Sequence, residues 1–263
     1  MCPLGGRWID GGDGPVLAKA TLVCHCLVVE TRAGVVLVDT GLFAKADFES
    51  LRIDVLSREG LGTEVRRDEL ASTRVEQLGF AIRDVTHLVP THLDLDHAGG
   101  IADFPHATTH VMAREHDAAS MPKGFFEHSR YVRRHFEGAR FARHEVDGER
   151  WKGFDAVRPI PGTADEVLMI PLYGHTRGHA AVAVSTDQGW IVHCGDAYFS
   201  KREVAERVDA PPLLEFFQRT VAFDDELRRA NRDRLRALRD EPDVKLFCAH
   251  SPEELDDFRT SRG

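Results

Sequence analysis

The chain has 263 residues, 42% hydrophobic and 29% charged, which supports a substantial packed core and includes no low-complexity tract. A formal net charge of -9 argues against a nucleic-acid backbone or an anionic membrane as partner, and no apolar run approaches the length of a bilayer span. The N-terminal MCPLGGRWIDGGDG lacks the basic start and apolar centre of a secretory signal, so the expected location is cytoplasmic.

Thr21 to Val29 reads as an apolar strand, Glu30 to Gly34 as a turn, and Val35 to Val38 as the returning strand. This hairpin ends in the polar Asp39-Thr40-Gly41. From about Asp47 to Leu78 apolar residues recur at mixed three- and four-residue spacing, a helical pattern broken at Gly60 and Gly62. Val85 to Val89 is a buried strand. After Pro90 comes Thr91-His92-Leu93-Asp94-Leu95-Asp96-His97-Ala98-Gly99-Gly100, with four metal-ligand-type side chains among six consecutive residues. Thr108 to Met112 is another strand. The region 114–150 is rich in charge and His and carries Phe125, Phe126, Tyr131, Phe136 and Phe141. A lid or helical insert over a pocket, an oligomer contact and plain helical packing all fit it.

Glu149 to Pro161 reads as irregular. Val167 to Leu172 is a strand leading into Tyr173-Gly174-His175-Thr176-Arg177-Gly178-His179. Ala181 to Ser185 and Trp190 to Cys194 form a hairpin, the second strand ending in Gly195-Asp196. A helix over Asp225 to Arg239 precedes a last strand, Val244 to Cys248, which ends at Ala249-His250. Ser251, Pro252 and Glu254 then form a capping box for the final helix. With no internal repeat or linker, residues 1–263 read as one domain.

Cysteine usage fits a reducing compartment. The count of five is odd, and Cys24, Cys26, Cys194 and Cys248 lie in strand-like segments as small hydrophobes. Alternation along a strand would put Cys24 and Cys26 on one face and His25 on the other, which argues against a metal clip. One event recurs four times: an apolar strand ends and a His or Asp follows, at His92, His175, Asp196 and His250. Strand ends gathered on one edge of a sheet would bring these side chains together as a metal site. His179 and His193 read as hydrogen-bonded neighbours of that site.

These motifs, in this order, resemble the metallo-β-lactamase superfamily over nearly the whole chain. The similarity is to its glyoxalase-II-like and N-acyl-homoserine-lactone lactonase branches. The resemblance implies an α/β fold, a four-layer αβ/βα sandwich with two divalent metal ions at one edge. Carried over by position, His92, Asp94 and His175 hold the first ion, Asp96, His97 and His250 hold the second, and Asp196 bridges. Asp39 stands behind them and orients a ligand by hydrogen bonding.

Asp94 departs from the family pattern, which most often has His there. Two divalent ions, three carboxylates and one hydroxide sum formally to zero, where the usual ligand set leaves one positive charge. Zinc is the ion the family implies. The oxygen-rich first site shifts preference toward iron or manganese, and flavodiiron proteins of the superfamily carry Glu at this position.

The implied activity is metal-dependent hydrolysis of an ester, lactone or thioester in a small-molecule substrate, with a metal-bridging hydroxide attacking the carbonyl. Asp96 orients the nucleophile or accepts its proton. Tyr198, two residues after Asp196, is a candidate oxyanion donor, although the comparable lactonase Tyr lies one residue later, where this chain has Phe199. The alternatives are an iron-dependent oxidoreductase of the same fold and a non-catalytic metal-containing binding protein. The sequence leaves the oligomeric state open.

Overall fold

The computed structural model describes residues 3–32, 34–43, 62 and 65–260. Valine- and alanine-rich strands with apolar residues at both alternating sets must bury both faces, so each sheet has to be covered twice. One sheet holds β1 (Leu27–Thr31), β2 (Gly34–Val38), β3 (Val85–Val89), β4 (Thr108–Met112) and β5 (Arg140–His144), side by side in chain order. The other holds β6 (Glu149–Trp151), β7 (Phe154–Pro159), β8 (Val167–Pro171), β9 (Ala180–Thr186), β10 (Gly189–His193) and β11 (Val244–Phe247), also in chain order. The described α-helices are α1 (Arg7–Asp10), α2 (Ala71–Gln77), α3 (Ala113–Ser120), α4 (Gly124–Arg130), α5 (Lys201–Ala205), α6 (Pro212–Val221), α7 (Asp225–Arg239) and α8 (Pro252–Thr260), with four short 3-10 turns between elements.

Alternation sorts the side chains into layers. Val36, Val38, Val89, Met169, Val182 and Val184 meet between the sheets. On the outer face of the first sheet, Val35, Leu37 and Leu88 pack with Ala71 and Val75 of α2 and Ala118 of α3. On the outer face of the second, Leu168, Ile170, Ala181 and Ala183 pack with Val204 of α5 and Leu235 and Leu238 of α7. The expected four-layer αβ/βα sandwich is borne out.

Parallel pairing decides where the loops meet. β2 runs parallel to β3, so Asp39 and Thr91 emerge at the same edge; β10 runs parallel to β11, so Asp196 and His250 do as well. No described helix is long and apolar enough to cross a membrane.

Four local expectations differ from the structure. The strand expected from Thr21 begins only at Leu27, because the Val23 and His25 amides donate to the carbonyls of His250 and Ala249 instead of joining the sheet. Glu149 to Pro161 is not irregular: β6 and β7 form a hairpin, with Lys152 and Gly153 at positive φ in its turn. The region 114–150 belongs in large part to the sandwich, since β5 closes the first sheet and Ala119 and Tyr131 lie in its core. Glu254 does not turn back to complete a capping box; its buried carboxylate accepts from Tyr198 Oη at 3.0 Å and the Cys248 amide at 2.7 Å. The helical run expected from Asp47 falls outside the described residues until position 65, apart from residue 62.

Candidate metal centre

His92 follows β3, His175 follows β8, Asp196 follows β10 and His250 follows β11, and all four side chains converge. Two glycines permit the close approach. A Cβ at Gly174, which has φ +139, would collide with the Arg228 backbone at the start of α7, and one at Gly195, φ +52, would strike the His179 ring. The amides of Phe223 and Asp224, just ahead of α7, donate to the carbonyls of His175 and Gly174 at 3.0 and 2.9 Å, which fixes the His175 loop.

Asp196 divides the cluster. Its Oδ2 lies 3.3 Å from His175 Nε2 and 3.8 Å from His92 Nε2. Its Oδ1 lies 3.3 Å from His97 Nε2 and 3.1 Å from His250 Nε2, and His250 Nε2 is also 3.3 Å from Oδ2. Asp94 Oδ2 joins the first pair, 3.3 Å from His175 and 3.5 Å from His92, and Asp96 Oδ2 joins the second, 3.7 Å from His250 and 3.8 Å from His97.

The opposite ring nitrogens fix the tautomers. His97 Nδ1 donates to Asp39 Oδ2 at 2.8 Å, and His250 Nδ1 donates to the Val23 carbonyl at 2.8 Å. His92 Nδ1 donates to Thr91 Oγ1 at 3.0 Å, and the Thr91 hydroxyl in turn donates to Asp39. Nε2 of His92, His97 and His250 therefore points at the carboxylates; burial opposes protonation of His97 and His250, but Asp196 outweighs it and raises both, so without an ion a proton takes the ion's place. His92 Nε2, His97 Nε2 and Asp196 Oδ1 are buried without a hydrogen-bond partner. Buried acceptors aimed at one another without a donor are costly, and divalent cations between them would satisfy every one. The donor set fits two ions.

Electrostatics agree. Burial opposes ionisation of Asp196, but His250, His97 and His175 more than reverse it and hold its carboxyl well below the usual range. Burial similarly opposes Asp39, and His97 outweighs it, leaving Asp39 at about 2. Burial lowers His175 to about 4, which keeps its imidazole neutral and ready to bind. His179 stands outside the ligand cluster: its Nδ1 donates to the Leu172 carbonyl at 3.0 Å, and its Nε2 accepts from the Asp196 amide at 2.9 Å. His193 likewise donates to the His25 carbonyl at 2.6 Å and accepts from the Gly195 amide.

A scan of the chain against protein families matches the metallo-β-lactamase superfamily over residues 21–250. The chain is a member of this superfamily. A probable metallo-hydrolase of Mycobacterium tuberculosis is 39% identical over 235 residues, 88% of this chain and 76% of that protein. An N-acyl homoserine lactonase of Azorhizobium caulinodans is 28% identical over 203 residues, 76% of this chain and 70% of that one. The fold matches a crystal structure of an N-acyl homoserine lactone hydrolase, holding its product N-hexanoyl-L-homoserine at the catalytic metal centre, with a TM-score of 0.70 and 20% identity. That match covers 97% of this chain and 92% of the other. Lactonases are thus among the relatives of this superfamily member, and its His and Asp cluster agrees with a dinuclear divalent metal site.

Of the residues singled out from sequence, the seven expected ligands His92, Asp94, Asp96, His97, His175, Asp196 and His250 come together. Tyr198 does not. Its ring is fully buried in the outer core of the second sheet and its hydroxyl donates to Glu254, so it faces away from the cluster. The next residue takes the inward direction: Phe199 packs 4.5 Å from the His250 ring and 6.0 Å from the His175 ring. A strand end reverses side-chain direction with each residue, and the sequence does not reveal which parity applies.

Three residues near the centre were missed. Arg130, at the end of α4, places Nε 3.6 Å from Asp94 Oδ1 and donates to the carbonyls of His175 and Val221 at 3.2 and 2.6 Å. Burial opposes ionisation of Asp94, and Arg130 and His92 reverse it, holding the carboxyl well below its usual range. Buried Glu115 accepts from the amides of Leu93 and Gly178 and the Thr176 hydroxyl, clamping the two ligand loops. Cys24, read as packing, has its sulfur within 4.8 Å of ligand atoms of Asp96 and His250. Arg130 and Glu115 carry no motif, since each is one charged residue among many in its region.

Proposed function

We propose that the protein is a two-metal hydrolase that attacks an ester, lactone or thioester carbonyl, in a substrate with an apolar arm. The observation that carries this reading is Asp196, whose carboxylate lies among all four imidazoles, Oδ2 reaching His175 and His92, Oδ1 reaching His97, and His250 near both oxygens. In it, His92, Asp94 and His175 hold one ion, Asp96, His97 and His250 hold the other, and Asp196 spans both. Ions bound there supply Lewis acidity and a nucleophile drawn from water at neutral pH. Asp96 faces His97 and His250 through Oδ2, which leaves Oδ1 to orient or accept the proton of the attacking water. With Tyr198 turned into the core, no phenol enters the scheme.

Arg130 bears on the choice of ion. Asp94 in place of His removes one formal positive charge, and the Arg130 guanidinium beside it returns one. The balance is again that of the usual set, which favours zinc and hydrolysis over an iron-dependent oxidation, although the oxygen-rich first site still accommodates iron or manganese. Support for the apolar arm comes from a cavity of about 410 Å³ whose walls include Phe126, Tyr131, Val221 and Phe223, together with the charged Lys123, Glu127, Arg130 and Arg177.

The test is a panel of esters, lactones and thioesters with short and long acyl arms, run on metal-stripped and reloaded protein. Turnover that needs the ions and improves with the longer arm is expected. Protein loaded with two ions that hydrolyses nothing, yet consumes oxygen with a reductant, overturns the proposal.

A further inference from the structure

The half of the centre around His250 holds a donor that the ligand set above does not use. Cys24 Sγ, an Asp96 carboxylate oxygen and a His250 ring nitrogen lie within 4.8 Å of one another. Backbone pairing delivers the sulfur there: Val23 and His25 donate to the carbonyls of His250 and Ala249, and His250 Nδ1 donates back to the Val23 carbonyl. His25 packs on Phe247 instead, with ring centroids 4.2 Å apart. Cys24 differs from Cys194 and Cys248, which are fully buried in the apolar outer core of the second sheet.

The surroundings point independently to a cation. His97 Nε2, in a side chain 1% exposed, and Asp196 Oδ1, in one 4% exposed, lie 3.3 Å apart without a hydrogen-bond partner and face Asp96 and His250. A sulfur beside such acceptors adds a soft donor to the same pocket.

We propose that Cys24 is a sulfur ligand of the second ion, joining Asp96, His97, His250 and Asp196. This rests on the two-metal reading above. It makes the centre unequal, with only nitrogen and oxygen donors at the first position and an added soft donor at the second. Zinc or cobalt is then favoured over manganese at the second position.

The experiment strips the full chain of metal and titrates it anaerobically with cobalt(II). A thiolate-to-cobalt charge-transfer band is expected in the near ultraviolet, lost in Cys24→Ser and retained in Cys26→Ser, with the visible ligand-field bands present in all three proteins. Ligand-field bands without the charge-transfer band, or a band that survives Cys24→Ser, overturn the assignment while leaving two-metal binding intact. A chain that takes up no cobalt overturns both. Should Cys24→Ser fold poorly, alkylation of Cys24 in the unaltered protein, mapped by mass spectrometry, gives a second readout. Zinc loading should slow it about tenfold, and an unchanged rate overturns the assignment.

Discussion

The two halves of the centre are supported in different ways. Around His97 and His250 the ligands are oriented by Asp39, at the end of β2, and by the Val23 carbonyl, both tied to the sheet edge. Around His92 and His175 the unusual ligand is Asp94, and its charge is met by Arg130 from α4, outside the two sheets. One half thus relies on the sheet edge, the other on an ion pair reached from a helix. Changes at the sheet edge should weaken ion binding, whereas changes to the pair should alter which ion is preferred.

Asp196 belongs to both halves, so it gives the largest effect. Asp196→Asn should lose tight binding of both ions and lower hydrolysis by about a thousandfold or more; metal content and turnover measured together check this. If one ion remains tightly bound, Asp196 serves only one half.

Next comes the Asp94 and Arg130 pair. Asp94→His alone leaves a buried guanidinium without its counter-charge and should destabilise the fold by about 3 kcal/mol, read as a shift in the urea midpoint. Adding Arg130→Gln should recover most of that loss and raise zinc affinity above that of the unaltered chain. A double variant no more stable than the single one would show that the pair is not coupled.

A smaller effect is expected from Asp39→Asn, which weakens the hold on His97. Affinity for the second ion should fall about 10- to 100-fold, and affinity for the first less, because Asp39 reaches His92 only through Thr91, in competition titrations against a chelating dye. Equal loss at both positions would show that the direct contact to His97 counts for no more than the relay through Thr91.

The smallest effect lies away from both halves. His87 Nδ1 meets His110 Nε2 at 2.9 Å, and His110 Nδ1 meets His144 Nε2 at 3.0 Å, a ladder across β3, β4 and β5. Burial, with His144 and His87 adding to it, lowers His110 to about 3, and burial lowers His87 and His144 too. The folded state therefore binds fewer protons than the unfolded one below about pH 6.5. This stability is full above that pH and is lost as pH falls toward 3. Urea midpoints of metal-stripped protein should drop between pH 7 and pH 5, less steeply in His110→Phe. His97 and His250, where Asp196 outweighs burial and raises both, act in the opposite direction, so the difference between the two proteins is the readout, and identical pH profiles would contradict the ladder.

Much of the frame was legible because fully buried strands read as short apolar runs bounded by polar or glycine residues. β3, β4 and α7 lie where the pattern puts them, and His92, His175, Asp196 and His250 each lie three or four residues past a strand end. β5 was not legible: Arg140 to His144 is an edge strand with no apolar run to mark it. Arg130, Glu115 and Cys24 were hidden for a different reason. Each acts across the chain, 36, 22 and 72 residues from the nearest sequence-motif partner it serves (Asp94, Leu93 and Asp96), and no local pattern encodes such a meeting. Tyr198 failed by parity, one residue from the position that faces the ligands.

The central claim is that one carboxylate joins two ions. Metal content per chain, measured by mass spectrometry after reconstitution with zinc and removal of excess, tests it most directly. Two ions per chain, falling below one in Asp196→Asn, is the predicted result. A single ion per chain, unchanged in Asp196→Asn, would contradict the account.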